Sequence, residues 1–224
     1  MTQPAYDESG DSFFERARAR LALDVPAALA DPAAHAVRGD LDLDPAVWER
    51  AGVTATRPAA VLVGVVDRPQ PSVLLTLRTG DLASHPGQIA FPGGKIDPHD
   101  ATPLAAAMRE AHEEIGLDAG LLDPIGYLDL YLTFSGFRIL PTVARVAPDY
   151  HLVLNAREVV EAFEVPLAFL MNEGNHQRQS REFRGVTRHY YAMPFGERYI
   201  WGVTAGILRN LYERVYADDP PNRH

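Results

Sequence analysis

A predicted helix that carries three glutamates within five positions constrains this chain more than any other feature. The helix is expected over residues 103–115. Thr102 is a suitable N-cap, Pro103 fits the first helical position because no N–H is needed there, and Gly116 fits the stop. At about 100° per residue, apolar and acidic side chains fall on opposite sides of this helix. The apolar set is Leu104, Met108, Ala111 and Ile115, and the acidic set is Glu110, Glu113 and Glu114.

The acidic side chains of this helix repel one another. Like charges spaced i,i+4, here Glu110 and Glu114, destabilise a helix by about 0.2–0.5 kcal/mol, and Arg109 is the only arginine or lysine within it. A divalent cation bound by carboxylate oxygens would offset the repulsion, and the upstream pair Gly93 and Gly94 would let backbone groups approach the same ion. A solvated face of an amphipathic helix is the alternative interpretation.

Residues 91–117 resemble the signature box of the Nudix hydrolases, in which a glycine and an acidic residue precede R-E-U-x-E-E-x-G-U, with U apolar. Residues 109–117 match this second half in full. Asp100 stands where the box usually has Glu, and one additional residue separates it from Arg109. Residues 74–94 are similar to a further motif of the coenzyme A pyrophosphatase branch, whose box has the same longer form. The chain therefore resembles that branch over about residues 57–216.

The resemblance implies an α/β fold, the Nudix-like α/β/α sandwich with a mixed β-sheet. The residues favour the same architecture, because strand patterns flank the helix on both sides. These patterns cover residues 59–67, 72–79, 125–133 and 138–146, and the first two are expected to pair as a hairpin. The expected domains are a helical N-terminal extension over 1–55, the Nudix domain over 56–216 and a tail over 217–224.

Local signals predict four further elements. Ser12 opens an S-x-x-E capping box for a helix that runs to about Leu23, and a second short helix is expected over 45–51. Residues 177–195 are expected to form a hairpin that turns at Gly185. A closing helix capped near Thr204 is expected after a short strand.

The resemblance also implies a metal site and a hydrolytic reaction. Glu110, Glu113 and Glu114, with a carbonyl near Gly94, are expected to hold Mg²⁺ or Mn²⁺. The ion would bridge a substrate diphosphate and lower the pKa of an attacking water. Arg109 is expected to orient Glu113 rather than to contact substrate.

A further glutamate beyond the box is expected to act as the general base that takes a proton from water. Glu158 is the first candidate and Glu161 the second. One of the box glutamates is an alternative, and exposed glutamates without a catalytic role are common in proteins.

Three residues before the box are expected to bind substrate: Arg78, His85 and Gln88. Arg78 ends a predicted strand, where its guanidinium suits a phosphate, although an exposed arginine without a ligand explains it equally well. Ala83 stands where the coenzyme A branch usually has a second basic residue, and this leaves the substrate open.

A basic cluster follows Gln177 in an otherwise acidic chain. It consists of Arg178, Arg181, Arg184, Arg188 and His189. The cluster could bind an anionic part of a substrate, with Tyr190 or Tyr191 as a stacking surface. Arginines that only solvate the outer face of the hairpin are the favoured interpretation.

Composition narrows the possible partners. The 224 residues carry a net charge of −9, which provides no electrostatic footprint for nucleic acid or an anionic membrane. The chain has no cysteine, so a disulfide framework, a thiolate zinc site and a thiol nucleophile are excluded. It also has neither an apolar run of membrane-spanning length nor a signal-peptide pattern. We expect a cytoplasmic protein with a small-molecule partner, and the sequence leaves open a homodimer that shields the N-terminal extension.

The function expected from the resemblance is hydrolysis of the diphosphate bond of a nucleoside diphosphate derivative. The first substrate is coenzyme A or an acyl-CoA, which would give 3′,5′-ADP and 4′-phosphopantetheine. ADP-ribose, a dinucleoside polyphosphate or NADH is the alternative substrate. A Nudix-like module that senses a nucleotide without cleaving it is the alternative class.

Overall fold

The computed structural model describes residues 10–31, 38–39, 43, 57–80, 87–183 and 186–217. Four helices are described: α1 (Gly10–Arg20), α2 (Pro103–Ile115), α3 (Leu167–Leu170) and α4 (Val203–Val215). The first seven strands in chain order are β1 (Arg38–Gly39), β2 (Arg57–Val66), β3 (Ser72–Arg78), β4 (Ile89–Ala90), β5 (Gly93–Lys95), β6 (Leu122–Tyr127) and β7 (Tyr131–Leu132). The remaining strands are β8 (Phe137–Val146), β9 (Val159–Pro166), β10 (Gln177–Phe183), β11 (Val186–Phe195) and β12 (Arg198–Trp201).

The larger sheet is built on β2 and β8, which run parallel from the pair Arg57 and Phe137 to the pair Val66 and Val146. β5 and β3 are antiparallel to β2, and β6 and β7 are antiparallel to β8. β3 also pairs with β4 and β9, and β1 lies parallel to β7. Strands β1 to β9 therefore form one mixed sheet of nine described strands, as the sequence predicts.

Helices cover both faces of this sheet. On one face, α2 packs its alanines against apolar side chains of β2, β3 and β8. On the other, α1 and α4 contribute to a second core with Val63, Val65 and Val73. The α/β/α sandwich predicted from the sequence is confirmed.

The box helix has the predicted bounds and ends. Thr102 is extended, and its hydroxyl accepts the N–H of Ala105 at 3.1 Å. Gly116 has a φ of 69°, a left-handed conformation in which a Cβ would lie 2.9 Å from the backbone nitrogen of Val153. Position 116 therefore requires glycine for two reasons: its backbone conformation is left-handed, and a side chain there would clash with Val153.

The position of the buried side of α2 differs from the prediction. Leu104 and Met108 are only half-buried, whereas Glu114 is 2% exposed. The small side chains of Ala106 and Ala107 lie on the face toward the sheet and are fully buried. We infer that they let the helix approach the sheet closely, which carries Glu114 into the interior. The prediction that the acidic side chains lie opposite the buried side of the helix is therefore wrong for Glu114.

A second sheet consists of β10, β11 and β12 in antiparallel order. β10 and β11 pair from Gln177 and Ala192 to Phe183 and Val186, which confirms the predicted hairpin. The predicted turn residue Gly185 lies outside the described residues.

Three local expectations need correction. Ser12 lies inside α1, which begins at Gly10, so it is not the N-cap. Thr204 lies inside α4, and its hydroxyl donates to the carbonyl oxygen of Ile89 at 2.8 Å, where it joins the helix to β4. The strand expected over 125–133 is interrupted between β6 and β7.

One further prediction is confirmed in part, and another falls on residues that the structure does not describe. The hairpin of β2 and β3 is confirmed at two residue pairs only, since β3 then pairs with β9 and β4. The second short helix expected over 45–51 lies outside the described residues. Within the part of the chain that the structure describes, no helix combines the length and the apolar character that crossing a membrane requires.

Helix α1 belongs to the same core as the larger sheet. Phe13, Phe14 and Ala17 are buried with side chains of α4, and the ring of Phe13 lies 6.3 Å from that of Tyr216. The N-terminal extension thus contributes part of the core through this helix.

Replacing Phe13 by alanine is expected to lower the free energy of unfolding by about 3–5 kcal/mol, because the change leaves a cavity under α1. Urea unfolding followed by circular dichroism measures the change. Glu15, which is exposed on the same helix, provides the control: Glu15→Ala should change the value by about 0.5 kcal/mol or less. A Phe13→Ala protein as stable as the wild type would show that α1 does not stabilise the domain.

Candidate metal and diphosphate site

Glu114 brings together the end of α2, the glycine loop and the end of β3. The N–H of Gly93 donates to Oε2 of Glu114 at 3.3 Å, and Nη1 of Arg78 donates to Oε1 at 3.2 Å. Burial raises the pKa of this carboxyl to about 7, although Arg78 and the Gly93 N–H both act to lower it. Two donors therefore do not fully compensate this buried carboxylate.

Glu110 lies directly against Gly94. A Cβ added at Gly94 would lie 2.5 Å from Cδ of Glu110, so only glycine leaves room for this carboxylate beside the loop. Burial raises the pKa of Glu110, the charges of Glu113 and Glu158 add to this effect, and Arg109 opposes it. Glu110 is therefore, like Glu114, a carboxyl group whose charged form is disfavoured by burial.

Arg109 holds the acidic side chains of the box in position. Its Nε and Nη2 donate to Asp100 at 3.0 and 2.9 Å, and Nη1 donates to Glu110 at 2.9 Å and Glu113 at 3.1 Å. Nη2 also donates to the carbonyl oxygen of Lys95 at 3.1 Å. The predicted contact with Glu113 is present, and the contacts with Asp100 and Glu110 extend the positioning role of Arg109.

Asp100 lies under the guanidinium of Arg109 and also accepts the N–H of Asp97 at 2.8 Å. The hydrogen bond from Arg109 lowers the pKa of Asp100. The aspartate that departs from the usual box therefore serves as an anchor for Arg109.

The two candidate bases have different surroundings. The charge of Glu158 raises the pKa of both Glu110 and Glu114, which places Glu158 in the same acidic region, and its Oε1 accepts Nδ2 of Asn155 at 3.1 Å. Glu161 instead accepts two hydrogen bonds from Arg198 at 3.0 and 2.7 Å. These hydrogen bonds lower the pKa of Glu161. The geometry favours Glu158.

The oxygen donors here fit a hard divalent cation that completes its coordination from elsewhere. Among the described residues, no three His, Asp or Glu side chains converge into a ready metal cage. Mg²⁺ commonly uses one or two carboxylates together with waters and substrate phosphates rather than an all-protein cage. Glu110 and Glu114, beside Gly94, supply such a pair, whereas Glu113 is 55% exposed and lies at the solvent side.

A cavity of about 670 Å³ adjoins the glycine loop. Arg78, Gln88, Gly93 and Gly94 line it, and the backbone carbonyl of Gln88 accepts the N–H of Arg78 at 3.0 Å. Small-molecule sites commonly have volumes of about 300–1,000 Å³. Of the three predicted substrate-binding residues, Arg78 and Gln88 share this cavity, and His85 lies outside the described residues.

The second sheet lines the same cavity. Arg181, Arg188, His189 and Trp201 contribute to the wall, while Arg178 does not. The interpretation of the basic cluster as a solvated outer face did not anticipate that Arg181, Arg188 and His189 border this cavity, although Arg181 is exposed. Arg184 lies outside the described residues.

The sequence interpretation missed Phe134 as part of the cavity. The guanidinium of Arg188 lies 3.7 Å from the centroid of the Phe134 ring, a cation–π contact between the loop after β7 and the second sheet. The sequence carried no signal for this contact, because the two residues are far apart in the chain.

The chain matches the NUDIX domain over residues 55–188. An uncharacterized Nudix hydrolase NudL of Klebsiella pneumoniae subsp. pneumoniae is 41% identical over 161 residues, which is 72% of this chain and 84% of that protein. The protein of the same name from Enterobacter sp. strain 638 is 39% identical over 155 residues, or 69% of this chain and 81% of the relative. A crystal structure of a Nudix hydrolase from M. smegmatis, RenU, is 28% identical over 50% of this chain and 71% of that chain, with a TM-score of 0.39.

The chain belongs to the Nudix hydrolase family. The assignment rests on the domain match and on the two relatives, both of which are covered over most of their length. Nudix hydrolases generally use divalent metal ions and hydrolyse the diphosphate bond of nucleoside diphosphate derivatives.

Replacing Gly94 by alanine is expected to weaken Mn²⁺ binding by about 10- to 100-fold, because the new methyl group would displace the carboxylate of Glu110. Electron paramagnetic resonance titration of free Mn²⁺ measures the affinity. Gly80→Ala is the matched control, since a Cβ there meets nothing within 4 Å. Wild-type affinity in Gly94→Ala would remove the Glu110 side of the loop from the metal site.

Proposed function

We propose that this protein hydrolyses the diphosphate bond of coenzyme A or an acyl-CoA in the presence of Mg²⁺ or Mn²⁺. The products would be 3′,5′-ADP and 4′-phosphopantetheine or its acyl derivative. The observation that carries the proposal is one cavity that joins the glycine loop and Arg78 to an aromatic and basic wall. Such a wall suits a nucleotide with a long second substituent. A cytoplasmic location and a homodimer remain predictions.

In this proposal, Glu110 and Glu114, with the carbonyl of Gly94, would hold the cation, and Glu113 would contribute from the solvent side. When bound, the cation neutralises diphosphate charge and makes an attacking water more acidic. The raised pKa values of Glu110 and Glu114 support this assignment, because a cation would stabilise two carboxylates whose charge is otherwise disfavoured.

Glu158 would accept the proton of the attacking water, and the hydrogen bond from Asn155 would fix its orientation. Arg109 would act as a positioning residue, because it holds Glu110, Glu113 and Asp100 in one arrangement. Proton removal and carboxylate alignment thereby fall to different side chains.

Arg78 would bind the diphosphate. Its guanidinium lines the cavity beside Glu114, and its Nε is buried without a hydrogen-bond partner among the described residues. An arginine that retains an unused N–H can donate it to a phosphate oxygen without breaking an existing hydrogen bond at that atom. Gln88 would border the same part of the substrate, and His85 is proposed from the sequence resemblance alone.

A different diphosphate, such as ADP-ribose, a dinucleoside polyphosphate or NADH, is the second candidate substrate. The observation that favours it is Ala83, which lacks the basic side chain expected in the coenzyme A branch. The catalytic residues proposed here would be the same for either substrate. The sensing module without activity has no comparable observation in its favour.

A panel of diphosphates is expected to show cleavage of coenzyme A with the highest kcat/KM, in the presence of Mg²⁺ or Mn²⁺. The panel contains coenzyme A, acetyl-CoA, ADP-ribose, NADH and a dinucleoside polyphosphate, and mass spectrometry identifies the products. A higher kcat/KM for another diphosphate would replace the substrate assignment. If every compound were bound and none cleaved, the protein would be a sensor.

Three variants in this assay test the assigned roles. Glu114→Gln is expected to lower kcat by at least about 100-fold with the fold retained, because it loses a metal-binding charge. Glu158→Gln is expected to lower kcat by about 10²- to 10⁴-fold. Glu161→Gln is the matched control on the same strand region and should stay within about 3-fold of wild type, since Glu161 pairs with Arg198. Equal losses of kcat in Glu158→Gln and Glu161→Gln would contradict the assignment of Glu158 as the general base.

A further inference from the structure

The two faces of the second sheet have different compositions. Opposed residues on paired antiparallel strands share a face, and alternate residues along a strand share it too. Arg181 opposes Arg188, Gln179 opposes Tyr190, and Ala192 opposes Trp201, so these positions lie on one face. The other face carries Met193 and Ile200, which are fully buried in the core with α4. We define the first face by Arg181, Arg188, Tyr190 and Trp201 as the arginine–aromatic face.

The pair Arg181 and Arg188 places two positive charges directly opposite each other. Like charges at opposed positions of a sheet are destabilising. Glu182 opposes Thr187 and therefore lies on the other face, where it does not separate the two guanidinium groups. Arg188 stacks on Phe134, while Arg181 has no hydrogen bond or ion pair with the residues that the structure describes. Both arginines line the cavity, where their N–H groups can donate hydrogen bonds to an anion.

Aromatic rings continue the arginine–aromatic face beside this pair. The rings of Tyr190 and Trp201 meet edge to face at 5.3 Å, and both residues line the cavity together with Arg181 and Arg188. A purine base has an aromatic surface that stacks on such side chains, and base–aromatic stacking contributes about 1–3 kcal/mol. The face therefore combines a surface for a base with two donors for a phosphate.

We infer that the arginine–aromatic face binds a nucleoside that carries a phosphomonoester in addition to the diphosphate. Arg181 and Arg188 would hold the monoester, and Tyr190 and Trp201 would contact the base. This inference rests on the proposed function, because the orientation of the substrate in the cavity follows from placing its diphosphate at the glycine loop. It also supplies the basic contact that Ala83 cannot provide.

The first test measures binding without turnover. Adenosine 3′,5′-bisphosphate and AMP are titrated into metal-free protein by calorimetry. The wild type is expected to bind the bisphosphate at least about 10-fold more tightly than AMP, because a charge-assisted contact contributes about 1.5–3 kcal/mol. Arg181→Gln is expected to reduce this preference to about 3-fold or less.

Arg178→Gln is the matched control. Arg178 is an exposed arginine of the same strand that lies on the other face of the sheet, opposite Tyr191. Its side chain does not line the cavity. This variant should keep the wild-type preference for the bisphosphate. The inference is overturned if the wild type shows no preference, if Arg181→Gln retains it, or if Arg178→Gln loses it to the same extent.

The second test separates this inference from the proposed function. The ratio of kcat/KM for coenzyme A to that for dephospho-coenzyme A should fall by about 10-fold or more in Arg181→Gln. Cleavage of both compounds at a wild-type ratio near one would overturn the inference and leave diphosphate hydrolysis intact. Binding that depends on Arg181 without cleavage of either compound would overturn the proposed function and leave the inference intact.

Discussion

The carboxylate of Glu114 lies in the interior between the N–H of Gly93 and the guanidinium of Arg78. Burying a carboxylate is costly unless its charge is compensated, and the raised pKa of Glu114 shows that these two donors compensate it only in part. Glu110 has the same unfavourable burial one turn earlier. The alanine-rich side of α2 creates this situation, because it lets the helix lie close to the sheet. The architecture thus holds two carboxylates where a divalent cation would stabilise both.

The cavity connects this acidic site to a wall that is chemically its opposite. The glycine loop and Arg78 belong to the larger sheet, whereas Arg181, Arg188 and Trp201 belong to the smaller one. In the protein as proposed, the first part acts on the diphosphate and the second selects the nucleoside. This separation explains how the box can be intact while Ala83 departs from the pattern of the coenzyme A branch. Substrate recognition need not depend on the loop that precedes the box.

The bounds and caps of α2 could be predicted because they depend on local signals, such as the hydroxyl of Thr102 and the glycine at position 116. The parallel pairing of β2 with β8 depends on contacts across the fold, and no local pattern specifies it. The burial of Glu114 escaped prediction because helical periodicity alone does not show how closely a helix approaches a sheet. The place of Arg181 and Arg188 in the cavity wall likewise depends on how the second sheet packs.

In the proposed site, Glu110 and Glu114 share a divalent cation at the glycine loop. Anomalous scattering from crystals of the protein grown with Mn²⁺ and a non-hydrolysable diphosphate tests it most directly. We predict an anomalous peak in contact with carboxylate oxygens of both residues and with the carbonyl of Gly94. Mn²⁺ bound at the diphosphate without contact to either glutamate would contradict the account.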